Sequence, residues 1–257
     1  MRFPTVFLAV LMLAAAVLLG EAEAQTRGVA GEPSGGQPVE AVEKIVRDYL
    51  LRNPEVVIEA LEAYKRKQAE ADDLAVRRAI AERSAEIFRD PDSAVGGNPK
   101  GDVTLVEFFD YRCGVCKRVH PIVQELLKRD RGIRRVYKEW PILGPDSVFA
   151  SRAAIASRRQ GENKYRAFHD AMMESRGALD RNAVLKIAAA LGLDVERLSA
   201  DLAKPEVERI IQRNFLLADA LRINGTPSFV IGDTVLRGGR DVDTLLAIVR
   251  EARKKKD

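Results

Sequence analysis

Cysteine and histidine are scarce in this chain, with two of each in 257 residues. Two cysteines make no disulfide scaffold, and a structural zinc site wants a second ligand pair that is not present. Tryptophan occurs once and aromatic residues make up 6% of the chain. No stretch interleaves them with basic side chains, which argues against a nucleic-acid partner. An excess of one charge is missing too, because 42 basic residues face 38 acidic ones. Part of the small positive balance sits in Arg253-Lys254-Lys255-Lys256, a run typical of a solvated helix end.

The apolar run at residues 6–19 is short for a membrane span and has no basic flank after it. Arg2 precedes it and Ala22-Glu23-Ala24 follows, the pattern of a signal peptide (1–24) cut after Ala24. No cysteine near that site offers a lipid anchor. The expectation is a soluble periplasmic or secreted protein in an oxidising compartment, where a dithiol has disulfide chemistry to do.

What is present is organised around residues 103–127. The β-branched and aromatic run Val103-Thr104-Leu105-Val106-Glu107-Phe108-Phe109 reads as a buried strand. It delivers Cys113-Gly114-Val115-Cys116 to a helix marked by Val119, Ile122, Val123 and Leu126. A cysteine at a helix start meets unpaired amide N–H groups and the positive end of the helix dipole, so Cys113 is the expected thiolate. Cys116, one turn in, is expected to be shielded. An exposed thiolate attacks a disulfide in another protein and the second thiol resolves the mixed disulfide, with no cofactor.

Ahead of this, residues 25–38 read as a glycine-rich linker. Val42, Ile45, Val46, Tyr49 and Leu50 make one helical face, and Asn53-Pro54 reads as the N-cap and first position of a second helix over 55–88. That helix carries a sparse stripe of Val57, Leu61, Tyr64, Leu74, Ile80 and Phe88. Either chains pack their stripes together as an oligomerisation stalk, or the helix lies on its own catalytic domain. A Pro- and Gly-rich boundary over 90–101 follows. Beyond the redox helix, which Pro121 is expected to kink, the pattern gives a strand at 133–138, a helical insertion over about 145–222, strands at 228–231 and 234–236 joined by Gly232-Asp233, and a last helix capped by Asp241.

At this point the chain resembles the DsbA-like thiol-disulfide oxidoreductases of the thioredoxin superfamily. The resemblance covers roughly residues 102–253. It rests on Phe108-Phe109-Asp110-Tyr111-Arg112-Cys113-Gly114-Val115-Cys116-Lys117, on the insertion, and on Gly225-Thr226-Pro227 before the third strand. It implies an α/β, thioredoxin-like fold with a helical insertion in a domain over 91–257, preceded by an N-terminal helical oligomerisation module over 39–90. It also implies a cis Thr226-Pro227 bond packed on the cysteines and shaping a client groove, where an ordinary trans turn is the alternative. An acid at Glu107 is implied to assist proton transfer at the inner thiol, with Lys138 as partner, unless strand alternation turns it to solvent.

Gly114-Val115 lacks the histidine of the family's strongest oxidant, which implies a less stabilised thiolate and a less oxidising disulfide. Together with Thr226 and the helical N-terminus, which resembles that of ScsC-like proteins, this points to an oligomeric disulfide isomerase, dimer or trimer. Its implied partners are misfolded secreted proteins with cysteines and a membrane redox partner that resets the site. The alternatives are a monomeric dithiol oxidase, or a copper-handling or redox-inert binding protein in which His120 joins the two thiolates. His120 otherwise reads as solvent-facing or as a local hydrogen-bond partner.

Overall fold

The computed structural model describes residues 38–255; the expected signal peptide and nearly all of the linker lie outside the described residues. The chain divides into two compact units, the second beginning at Leu61. In the first, helix α1 (Val39–Arg52) buries no residue and exposes Val42, Ile45, Val46 and Tyr49 along one face. Asn53, expected to cap the following helix, instead caps α1 from behind. Its backbone N–H and its side-chain Nδ2 both donate to the Tyr49 carbonyl at 2.9 Å, satisfying an acceptor that a helix end leaves open.

Helix α2 (Glu55–Glu82) and the short α3 (Ser84–Phe88) replace the single helix expected over 55–88, with the break at Arg83. The two ends of α2 differ. Val57, Ile58, Leu61 and Tyr64 are exposed, whereas Val76 and Ile80 are buried together with Ile87 against Val106, Phe108, Leu217 and Val230. Arg222 pairs with Asp72, and Arg77 with Asp233 at 2.7 Å. The apolar stripe therefore divides, its later half entering the core of the second unit.

That core is built on a five-stranded sheet in the order β1-β3-β2-β4-β5. Strands β2 (Val103–Phe109), β3 (Ile133–Glu139), β4 (Ser228–Ile231) and β5 (Thr234–Arg237) lie within a residue of the expected spans. β1 (Val95–Gly97) was not legible, because it is three residues long and rich in glycine; it pairs antiparallel with β3. β2 and β3 are parallel and joined by α4 (Gly114–Arg129), while β4 is antiparallel to both β2 and β5. Gly232 takes φ 58° in the β4–β5 turn, a conformation that suits glycine. The insertion holds five α-helices and a 3-10 turn at Arg158–Gln160: α5 (Pro145–Ser157), α6 (Glu162–Glu174), α7 (Arg181–Ala190), α8 (Val195–Leu202) and α9 (Pro205–Ala220). Helix α10 (Val242–Lys254) closes the fold, its N-terminus capped by Asp241, whose carboxylate accepts from the Thr244 amide at 2.8 Å.

Side chains alternate across a strand, and this sorts β2 and β3. Val103, Leu105 and Ile133 face α4 and α10, while Val106, Phe108 and Val136 face α2, α3 and α9. Lys138 is level with Phe108 in the β2–β3 register and so points to the second face. There its Nζ donates to the Glu86 carbonyl at 3.0 Å and to Asp90 Oδ2 at 2.8 Å. This buried pair, with Arg134 donating to the Phe88 carbonyl at 2.7 Å, fastens α3 to the sheet. Asp90→Ala strands the Lys138 ammonium in a buried site. Urea unfolding is expected to show a loss of about 3–5 kcal/mol, largely recovered in the Asp90→Ala/Lys138→Met pair. A loss within about 1 kcal/mol, as for a surface pair, would show that the contact does not anchor α3.

A candidate redox site at the head of helix α4

β2 ends at Phe109, and Asp110-Tyr111-Arg112 turns the chain so that Cys113 becomes the N-cap of α4. The Cys113 amide donates to the Asp110 carbonyl at 3.1 Å, and its sulfur accepts from the Cys116 amide at 3.4 Å. The sulfur thus occupies the place of an ordinary capping oxygen. On its other side lies the cis Thr226-Pro227 bond, with Cys113 Sγ 3.4 Å from the Thr226 carbonyl oxygen. Gly239 brings the loop before α10 against the same helix; a Cβ there would stand 2.6 Å from Val119 Cγ2.

The two thiols are sharply unequal. Cys113 is lowered to about 5, chiefly by the hydrogen bond from the Cys116 thiol. The Thr226 side chain and the Cys116 and Val115 amides add to this, against the opposing effect of burial. Cys116 is fully buried and pushed far above its ordinary value, first by its bond to Cys113, then by burial, with the Glu107 charge a smaller contribution. No side chain from Gly114 or Val115 takes part. The missing histidine therefore does not prevent a strongly stabilised thiolate.

Glu107 is buried at 1% exposure on the α4 side of the sheet, and its partner is not Lys138. Strand parity sends Lys138 to the opposite face and brings Arg135, one position back on that side, to Glu107 Oε2: Nε donates at 3.0 Å and Nη2 at 2.6 Å. Arg135 Nη2 also faces His169 Nε2 at 3.2 Å, and His169 Nδ1 faces the Tyr111 hydroxyl at 3.1 Å. A buried chain thus runs from Glu107 through Arg135 and His169 to Tyr111, two residues before Cys113. Sequence reasoning missed Arg135 and His169 because their meeting depends on strand register and on where α6 docks.

His120 is also buried, one turn beyond Cys116 and against α6, and burial with the nearby Arg135 charge lowers it to about 4. Ligand atoms of His120, His169 and Asp170 lie within 4.8 Å of one another. They do not fit a cation. Both ring nitrogens of His169 already face partners, and one of those partners is a guanidinium.

Asp110, fully buried inside the cysteine motif, ties the surrounding loops together. Its Oδ1 accepts from the Arg112 amide at 2.7 Å and the Ser147 hydroxyl at 2.8 Å; its Oδ2 accepts from the Ile142 and Leu143 amides at 2.8 and 3.0 Å. This exposes Ile142 and Leu143 beside the redox turn, where Val115 is exposed too.

Residues 104–250, more than half of the chain, match the family model described as DSBA-like thioredoxin domain. The chain belongs to the DSBA-like thioredoxin family. Residues 39–71 match a second model, the copper resistance protein ScsC N-terminal domain. Among solved structures, a thioredoxin-like oxidoreductase from Silicibacter pomeroyi is 48% identical, with TM-score 0.65, covering 66% of this chain and 97% of that one. A linker-deletion variant of Proteus mirabilis ScsC is 27% identical, with TM-score 0.67, covering 86% of this chain and 99% of that one. A curated relative, the Na(+)/H(+) antiporter NhaA of Herminiimonas arsenicoxydans, is 31% identical over 161 residues, which is 62% of this chain and 25% of the relative. The chain thus spans about a quarter of the length of the first curated relatives it matches.

The unequal thiols of this DSBA-like domain have a pH signature. Iodoacetamide labelling of the reduced protein is expected to modify Cys113 with a midpoint near 5 and to leave Cys116 untouched. The folded value lies below the unfolded one, so the stability contributed by the Cys113 thiolate is complete above the unfolded value. It is lost as pH falls through the folded value near 5. The melting temperature of the reduced form is expected to fall relative to the oxidised form along that descent. A labelling midpoint near the free-thiol value of about 8.5 would contradict this assignment.

Proposed function

We propose that this protein is a thiol-disulfide oxidoreductase that exchanges disulfides with cysteine-bearing proteins beyond the cytoplasmic membrane. The observation that carries the reading is the low Cys113 thiol, placed against Thr226 and backed by a buried, high Cys116 thiol. The Cys113 thiolate attacks one sulfur of a client disulfide, the client S–S bond breaks, and the departing client thiolate takes a proton. Cys116 then gives up its proton and attacks Cys113 Sγ, releasing reduced client as the Cys113–Cys116 disulfide forms; two electrons pass from the dithiol to the client. Oxidation of a client is the reverse.

The largest cause of the raised Cys116 value is its bond to the Cys113 sulfur. That bond loses its charge once Cys113 is in a mixed disulfide, so the resolving thiol becomes easier to deprotonate when it is needed. Glu107 tunes that proton transfer through its buried carboxylate, and Thr226 and Pro227 shape the client groove. Cys113→Ser is expected to abolish exchange with a protein disulfide; unchanged exchange would remove the reading.

The reading includes isomerase action by an oligomer assembled through residues 39–90. The exposed face of α1 supports it, since contiguous apolar patches are uncommon on monomers and each buried valine or isoleucine contributes about 1.5–3 kcal/mol. Several sites facing one cleft hold a scrambled client by multivalent contact. A membrane redox partner keeps such sites reduced. The low Cys113 value favours a second reading, a dithiol oxidase, because a stabilised thiolate makes the disulfide more oxidising.

Because Val76, Ile80 and Ile87 belong to the core of the second unit, substitution tests the oligomer more cleanly than truncation at Asp90. Ile45→Asp/Val46→Asp is expected to lower the sedimenting mass to that of one chain and to abolish recovery of a scrambled-disulfide test enzyme. An unchanged mass would remove the oligomer. Loss of mass with recovery intact would remove the need for several sites, and rapid oxidation of a reduced test enzyme without recovery would establish the oxidase.

A further inference from the structure

A groove of about 960 Å³ opens beside the redox turn, between α4 and the end of α6. It begins at Gly114 and follows α4 to Lys128, about 21 Å at 1.5 Å per residue. That is room for about six residues of extended chain at about 3.3 Å each. Its floor is neutral: Met173, and His120 held uncharged by burial.

The rim is cationic. Arg118, Lys128 and Arg176 line it, and none of the three makes a hydrogen bond or ion pair among the described residues. Arg118 Nη1 lies over the redox turn itself, 3.6 Å from where a Cβ on Gly114 would stand. Two carboxylates also line the groove. Asp170 accepts from Gln124 Nε2 at 2.9 Å with its side chain 39% exposed, and Glu174 is exposed, so the three unpaired cations outnumber the two acids.

The walls are tied in place. Lys117 Nζ spends its donors on the Met172 carbonyl at 3.1 Å and on the Ser175 carbonyl and hydroxyl at 2.7 and 2.8 Å. This holds the segment carrying Arg176 against α4. A groove held open in this way costs a ligand little ordering. No phenylalanine, tyrosine or tryptophan lines it to stack a base, so a single-stranded nucleic acid fits poorly.

We infer that this groove docks an acidic stretch of about six residues lying to one side of the client cysteine. The inference deepens the exchange reading by giving the client a chemistry: cysteines flanked by Asp and Glu are captured faster and held longer. Complementary charge at the rim acts on encounter rate and register.

The test uses fluorescent ten-residue peptides with serine in place of cysteine, followed by six residues that are either Asp and Glu or Asn and Gln, titrated into the full protein by anisotropy. Binding of the acidic peptide is expected to be about tenfold tighter in about 0.01 M salt, where charges reach about 30 Å. The preference should vanish in about 1 M salt, where they reach about 3 Å. Arg118→Glu/Arg176→Glu is expected to remove the preference at low salt. Equal affinity of the two peptides for the unmodified protein in low salt would overturn the proposal, as would a preference that survives the double substitution. The peptides hold no sulfur, so failure here is separate from failure of Cys113 exchange.

Discussion

Parallel pairing of β2 with β3, with Glu107 level with Tyr137 and Phe108 level with Lys138, decides what stands behind the cysteines and what anchors the incoming helices. A side chain on a strand has only two directions, so the register sorts four buried charges into two pairs. Glu107 and Arg135 fall on the α4 side; Lys138 reaches Asp90 on the other. Each charge would be costly without its partner. A slip of β3 by one residue would exchange its faces, parting Arg135 from Glu107 and Lys138 from Asp90 and setting Lys138 level with Glu107 instead.

The α4 side then acquires its redox asymmetry from one helix end. Cys113 is the capping residue and carries the lower thiol, so the amides that a helix start leaves open are turned on its sulfur. Cys116, three residues on, lies under the first turn and beside the buried Glu107. Two identical side chains in one short motif thereby receive opposite environments. Asp110 adds a mechanical consequence: its four hydrogen bonds tie the loop after β3, with exposed Ile142 and Leu143, to the turn that leads into Cys113.

The other side of the sheet explains why α2 reads ambiguously as a sequence. Its later half belongs to the core, through Val76 and Ile80, while its earlier half and α1 keep an exposed apolar face. A sparse stripe shared between two environments looks like neither a coiled-coil seam nor an ordinary surface helix. The insertion likewise does more than cover the sheet, because α6 carries His169 into the Glu107–Arg135 pair and the segment after α6 brings Arg176 to the rim of the groove beside the redox turn.

Local pattern alone determined the strand spans of β2, β4 and β5, the helix beginning at the CxxC, the Asp241 cap and the identity of the capping thiol, because each depends on neighbours a few residues away. The cis Thr226-Pro227 bond followed from family resemblance, since proline alone permits either isomer. Only the tertiary structure decided that Arg135 and not Lys138 meets Glu107 and that His120 and His169 are buried and already partnered or shielded. It also decided that Val76 and Ile80 are core. These are contacts between segments tens of residues apart, set by strand register and by the docking of α3 and α6, and periodicity along one segment carries no information about either.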